Sequence, residues 1–241
     1  MKYIILLIVI HCSWAEAPYA INYFIVWNVG QGQWTTWVRN DSCSHFDFGG
    51  ELTHSNQLLK KIERVCRFKN NYLYLSHADW DHYSFLPQIV KRFKSVCWKI
   101  KPNQNLKFDF KTEYCSESPD QPIIRILYTD HLSTEKNAIS TVVQIPHILI
   151  PGDSPIKAEK KWIHSLGASA NVKLLILGHH GSRTSTSQEL INALPRLRMT
   201  IASQRTKKYG HPHREVAVKL FNRGLRIIKT EDWGHILIQN P

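Results

Sequence analysis

Between Ser76 and His82 the chain sets four side chains of metal-ligand type, His77, Asp79, Asp81 and His82, within six residues. They follow a short apolar stretch, residues 72–75, so a strand delivers the run into a loop that enters a helix. Imidazole nitrogens and carboxylate oxygens folded together in this way converge on one or two divalent cations. Asp153, in Pro151-Gly152-Asp153, and the pair His179 and His180, in Gly178-His179-His180-Gly181-Ser182, come after further apolar strands. Asp47, in Phe46-Asp47-Phe48-Gly49-Gly50, is expected in the same position relative to its strand. Strand ends are rigid and the loops after them can approach a ligand, which is where α/β enzymes gather reactive groups. A polar loop with two incidental histidines is the competing reading of residues 76–82, and the donors elsewhere in the chain weaken it. His211, in Tyr209-Gly210-His211-Pro212, is a candidate to bind a phosphate or to protonate a leaving oxygen, with a solvent-exposed loop histidine as the alternative.

The elements that must position these groups are short apolar runs alternating with amphipathic stretches. Strands are predicted at residues 21–26 and 35–38, paired around Gly30-Gln31-Gly32, and at 72–75, 96–100, 123–128, 172–177, 200–202, 225–228 and 236–238. Residues 141–150 read as one long strand, and helical spacing marks 58–68, 85–93, 157–166 and 214–221. Without an internal repeat or a Gly/Ser linker, the pattern describes one α/β domain.

The run from His77 to His82 resembles the H-x-[HD]-x-D-H signature of the metallo-β-lactamase superfamily. With Asn28-Val29-Gly30-Gln31-Gly32, Phe46-Asp47-Phe48-Gly49-Gly50, Pro151-Gly152-Asp153, Gly178-His179-His180-Gly181-Ser182 and Tyr209-Gly210-His211-Pro212 in order, the set is similar to the hydrolase-like domain of ComEC, the DNA-uptake protein family. The resemblance covers residues 21–238, essentially the whole mature chain, and implies an αββα sandwich in a single domain. It further implies that His77, Asp79, Asp81 and His82 supply ligands to two divalent ions, Mn or Zn with Mg possible, and that Asp153 bridges them. His179 or His180 supplies another ligand, Asp47 orients the metal loop by hydrogen bonding, and Asp81 or Asp153 receives a proton from water. Asp79 stands where many members have His, which adds an oxygen ligand and favours harder ions. Asn137 sits near the place of a missing third-motif histidine, with His131 and His147 as weaker substitutes. Asn28 and Gln33 stand where relatives often carry Asp.

The chemistry implied is metal-dependent hydrolysis, most simply of DNA phosphodiesters. Small esters (phosphocholine esters or lactones) and a DNA-binding module without turnover are the alternatives. Charge points the same way: 241 residues carry 31 Lys+Arg against 19 Asp+Glu, a formal +12, suited to a polyanionic partner. The 43% hydrophobic content excludes a disordered chain. Ser182 and Arg183, ahead of a helix start, and the cluster Arg205, Lys207 and Lys208 are the candidate phosphate contacts, helix capping being the other explanation of the first pair's segment. Trp80 and Trp233 could stack bases, with ordinary packing the preferred reading of each. Residues 1–17 resemble a secretory signal, with Lys2, an apolar run and Ala15-Glu16-Ala17, leaving a domain at 18–241 that would be periplasmic or secreted without stable membrane insertion. Cys43, Cys66, Cys97 and Cys115 then form an even set outside the signal, with disulfides or buried thiols both open, and no spacing of a zinc ribbon.

Overall fold

The computed structural model describes residues 22–53, 55–102, 104–108, 112–116, 124–130, 133–167 and 171–239. The expected signal and His131 lie outside these residues. Among them, strands form two six-stranded sheets. The first contains β1 (Asn22–Val26), β2 (Trp34–Arg39), β3 (Ser42–Phe48), β4 (Asn70–Tyr74) and β5 (Ser95–Ile100), with β12 (Ile236–Gln239) added at the β1 edge. The second contains β6 (Arg125–Tyr128), β7 (Val142–Ile145), β8 (Ile148–Ile150), β9 (Leu174–Ile176), β10 (Met199–Ala202) and β11 (Ile227–Lys229). In both sheets antiparallel pairs give way to parallel ones, at β3 in the first and at β8 in the second.

Burial on both faces explains the apolar runs. On β1, Phe24 and Val26 face the second sheet while Ile25 faces outward, and on β9 Leu174 and Ile176 face inward while Leu175 faces outward. This period-2 division puts each strand in contact with two cores. Phe24, Trp37, Phe46 and Tyr74 meet Ile145, Ile150, Ile176 and Ile201 between the sheets. The outer face of the first sheet is covered by α1 (Ser55–Cys66), the short α2 (Trp80–Tyr83) and α3 (Leu86–Arg92), with Leu58, Leu59, Ile62, Leu86 and Ile89 packed on Ile25, Val38 and Leu73. The outer face of the second is covered by α4 (Ile156–Trp162), α5 (Gln188–Asn192) and, beyond α6 (Thr206–Tyr209), by α7 (Arg214–Asn222), through Trp162, Leu190, Val216 and Leu220. The short α8 (Thr230–Trp233) precedes β12. The result is the expected αββα sandwich.

Two expectations about elements change. Residues 141–150 are not one strand but the hairpin β7–β8, turning at Pro146 and His147, where proline has no N–H for a ladder. His147 serves that turn, its Nδ1 3.0 Å from the Asn171 carbonyl. Asp47 does not follow an apolar strand; it lies inside β3, whose sequence Ser-Cys-Ser-His-Phe-Asp-Phe is largely polar yet fully buried. Its histidine is matched internally: His45 Nδ1 accepts from Trp34 Nε1 and Thr36 Oγ1, and its Nε2–H donates to Asn71 Oδ1 at 3.0 Å. Disulfides join Cys43 to Cys66, tying β3 to the end of α1, and Cys97 to Cys115 beside β5.

Candidate metal centre

The site forms where the parallel strands of both sheets end. Asp47 closes β3, Ser76 and His77 follow β4, Asp153 follows β8, His179 and His180 follow β9, and Ser203 follows β10. The backbone at Asp47, His179 and His180 has positive φ of 50°, 49° and 57°. Such values are uncommon for non-glycine residues and are tolerated here only because surrounding bonds fix them. Glycines let the metal loop come close. A Cβ on Gly49 would lie 2.3 Å from the Asp81 carbonyl oxygen, and one on Gly32 2.6 Å from the same atom. Gln33 N–H donates to that carbonyl at 3.0 Å. The Gly-Gln-Gly and Phe-Gly-Gly segments therefore clamp the loop between Asp79 and His82.

Asp153 stands at the centre. Its Oδ2 is 3.8 Å from His77 Nε2 and 3.5 Å from His179 Nε2; its Oδ1 is 3.1 Å from His82 Nε2 and 4.0 Å from His180 Nε2. Asp79 Oδ2 completes one lobe, 3.5 Å from His77 Nε2, and Asp81 Oδ2 completes the other, 3.1 Å from His180 Nε2. In all four imidazoles the δ nitrogen is engaged by protein, by Ser76 Oγ, Asp47 Oδ2, Thr184 Oγ1 and the Ser203 carbonyl for His77, His82, His179 and His180 in turn. Their ε nitrogens are thereby aimed at the shared carboxylate.

The donor set fits divalent cations. His77 Nε2, His82 Nε2 and Asp153 Oδ1 are buried without a hydrogen-bond partner, which is costly for a folded protein and unusual in groups of three. Donor separations of 3.1–4.0 Å are close to the edges of a coordination shell with ligands about 2.1 Å from a common centre, roughly 3.0–3.4 Å. Both His179 and His180 bring Nε2 to within 4.0 Å of an Asp153 oxygen. His180 is buried, its Nε2 3.1 Å from Asp81 Oδ2; His179 is partly exposed, its Nε2 3.5 Å from Asp153 Oδ2, with Asn137 Nδ2 3.4 Å from its Nδ1.

Charge is distributed to match. Burial favours the neutral form of His82, but Asp153 and Asp47 on either side raise its pKa well above the ordinary value. Burial likewise opposes ionisation of Asp153, and the facing His82 and His180 overcome it and hold the carboxyl far below its usual range. Asp81 is also lowered, the pull of His180 and His82 outweighing its desolvation. His211 is lowered by burial and then by the neighbouring His180 and His179. Its ring centroid is 6.2 Å from that of His179, and its Nδ1 is buried without a partner.

Around these donors Asp47 makes the hydrogen bonds expected of it, with partners that sequence reasoning passed over. Asp47 accepts four hydrogen bonds, from Ser76 N, Ser76 Oγ, Gln33 Nε2 and His82 Nδ1, all within 2.9 Å. Gln33, noted in the sequence only as a departure from Asp, has a reason: its amide donates to Asp47, whereas a carboxylate there would repel it. Ser140 Oγ accepts from Asp153 N–H, and the Ser203 carbonyl has no side-chain signature at all.

An open groove of ≈ 720 Å³ leads to the cluster, lined among others by Gln31, Glu51, Trp80, Lys208, Tyr209 and His211. Arg205 and Lys208 sit at its rim, paired with Glu51 at 3.2 and 3.7 Å, and Lys207 is exposed beside them. Ser182 Oγ turns to Thr184 Oγ1, and Arg183 is exposed. The start of α5 is closed by the chain itself: Glu159 accepts the N–H groups of Thr186 and Ser187, and Ser187 Oγ caps Leu190 N. This segment is therefore a capped helix start, not an open phosphate cradle.

No protein-family model matches the chain. It is 26% identical over 195 residues to ComE operon protein 3 of Bacillus subtilis, 23% over 216 residues to Competence protein ComA of Neisseria gonorrhoeae, and 27% over 224 residues to Recombination protein 2 of Haemophilus influenzae. These alignments take in 68%, 86% and 88% of this chain but only 24%, 30% and 28% of the relatives, so the chain spans less than a third of their length. Among solved structures, the metallo-β-lactamase fold protein YhfI of Bacillus subtilis aligns over 91% of this chain and all of its own, with TM-score 0.55 and 14% identity. A diphosphatase from the PhnP family aligns over 92% of this chain and 98% of its own, with TM-score 0.57 and 12% identity. Igni18, a metallo hydrolase from Ignicoccus hospitalis, aligns over 91% and 100%, with TM-score 0.52 and 13% identity. Fold and relatives agree: the chain has the metallo-β-lactamase fold and is similar along most of its length to part of three competence and recombination proteins of the ComEC-like kind.

Proposed function

We propose that the chain is a metal-dependent hydrolase acting on phosphodiesters of DNA with little sequence preference. The observation that carries this reading is the set of four imidazole ε nitrogens around one buried carboxylate, with Asp79 and Asp81 completing two lobes. His77, Asp79, His179 and Asp153 would hold one divalent ion, and Asp81, His82, His180 and Asp153 a second. Two such ions supply a water acidified toward neutral pH and positive charge against a reacting phosphoryl oxygen. The chain's own contribution is to fix the donors before substrate arrives. Asp47 locks His82 and, through Ser76, His77. Asp81, partly exposed at the groove, can accept a water proton through its Oδ1, the oxygen not turned to His180, and His211 can offer an N–H to a phosphoryl or leaving oxygen.

DNA is favoured over small esters by the +12 charge, by Lys208 on the groove lining with Arg205 paired to the groove's Glu51 and Lys207 exposed next to Lys208 in the chain, and by relatives named for competence and recombination. Arg183, exposed beside the capped start of α5, belongs to the same reading as an outlying contact, whereas the Ser182 hydroxyl is turned to Thr184. We further propose export of a domain at 18–241 after loss of residues 1–17, which two disulfides support because such bonds persist in oxidising compartments. Among the described residues no helix is long and apolar enough to cross a membrane.

The test is hydrolysis of plasmid DNA, linear DNA and bis(p-nitrophenyl) phosphate in Mn²⁺, Zn²⁺ or Mg²⁺ beside an EDTA control. DNA cleavage that EDTA abolishes and that Asp81→Ala and His82→Ala lose is the expected result. Turnover of small esters alone, or retention of DNA without cleavage, would overturn it.

A further inference from the structure

Trp80 occupies an odd place. It lies between the ligand-type residues Asp79 and Asp81, yet its indole lines the groove and is 39% exposed. Its orientation is fixed without being covered. Tyr83 meets the ring edge-on at 5.4 Å, Phe108 lies tilted at 5.9 Å, and Lys107 Nζ is 5.2 Å from the ring centroid. The backbone at Lys107 is held, its main-chain N–H donating to Tyr83 Oη at 3.1 Å. Tyr209 repeats the arrangement elsewhere on the groove lining. It is 46% exposed, with Lys208 Nζ 5.1 Å from its ring centroid.

Each wall thus joins an exposed aromatic ring to an ammonium. That pairing matches the repeating unit of a nucleic acid strand, a flat base beside an anionic phosphate. An acyl chain or a lactone would use the rings but gain nothing from the lysines. A small phosphate ester would use one cation and no second ring. A nucleobase inside an intact duplex is stacked on its neighbours and cannot present its face to either wall.

We propose that Trp80 and Tyr209 are base-stacking walls, so that the strand is recognised through unpaired bases next to the cleaved phosphodiester. This rests on the DNA reading above and adds to it the residues that set substrate form.

The experiment measures binding in EDTA, where metal-dependent cleavage is silent. A fluorescein-labelled twelve-nucleotide dT strand is compared by anisotropy with an abasic strand of the same length and charge. The wild-type chain is expected to bind dT at least about fivefold more tightly than the abasic strand. Trp80→Leu and Tyr209→Leu should each erode that preference by weakening dT binding alone, while Trp80→Phe and Tyr209→Phe keep most of it. Equal affinity of the wild-type chain for both strands would overturn the proposal. So would leucine variants that lose both strands equally, since that pattern marks a fold or charge effect. A chain that binds neither strand yet hydrolyses bis(p-nitrophenyl) phosphate would instead refute the DNA reading itself.

Discussion

His45 makes the fold sensitive to acid in a way that can be measured apart from the metal centre. Its imidazole is wholly buried in β3, and burial lowers its pKa to about 4, with the Asn71 hydrogen bond opposing only part of that effect. The neutral ring is also the one the hydrogen bonds require. Nδ1 is the acceptor for Trp34 and Thr36, so a proton there would break both contacts. The unfolded chain protonates this histidine near 6.5 and the folded chain near 4, so the unfolded state binds the extra proton between those values. The stabilising contribution is therefore complete above pH 6.5 and is lost as pH falls toward 4. At about 1.4 kcal/mol per tenfold difference in proton affinity, roughly 2.5 kcal/mol should disappear between pH 7 and 4.5. Urea unfolding in EDTA, disulfides intact, measures it by comparing wild type with His45→Gln. The absolute stabilities will differ, but the wild-type pH dependence should be steeper by that amount, other titrating groups cancelling. Parallel curves would show that His45 is not held neutral and that the β3 network is wrongly described.

Other outcomes follow from the same contacts. Asp47→Asn keeps the shape but leaves His82 Nδ1 without its carboxylate, and should weaken metal affinity about 10- to 100-fold in a chelator competition. Gly49→Ala places a methyl 2.3 Å from the Asp81 carbonyl oxygen, so the loop must shift; metal content should fall and thermal unfolding should show a loss of about 1–3 kcal/mol. If Arg205 and Lys208 contact phosphates, alanine at either should reduce the slope of log affinity against log salt by about 0.9 on duplex DNA or about 0.7 on a single strand. Removing the Cys43–Cys66 link, which closes 23 residues, should cost about 3 kcal/mol by chemical denaturation.

The donor-type residues of the cluster were legible in the sequence because metal chemistry restricts residue type at fixed spacing, and because apolar runs reveal where strands end. His77, Asp79, Asp81, His82, Asp153, His179 and His180 all meet in one cluster for that reason. β3 was not legible: its alternation is polar, and only long-range partners such as Trp34, Asn71 and Gln33 make its burial tolerable. The break in residues 141–150 was signalled by Pro146 but masked by apolar residues on both sides. The orientation of His180 depends on the Ser203 carbonyl, a backbone atom that no side-chain pattern encodes. The helix start at residues 186–188 offered free N–H groups on paper, and Glu159, distant in sequence, takes them.

Metal stoichiometry is the most direct test of the whole account. Wild-type chain stripped with EDTA and dialysed against Mn²⁺ or Zn²⁺ should retain two ions per chain by native mass spectrometry. Asp153→Asn, which alters the carboxylate shared by both lobes, should retain fewer. A wild-type chain that holds no ion under these conditions, or an Asp153 variant that holds two as firmly, would contradict the account.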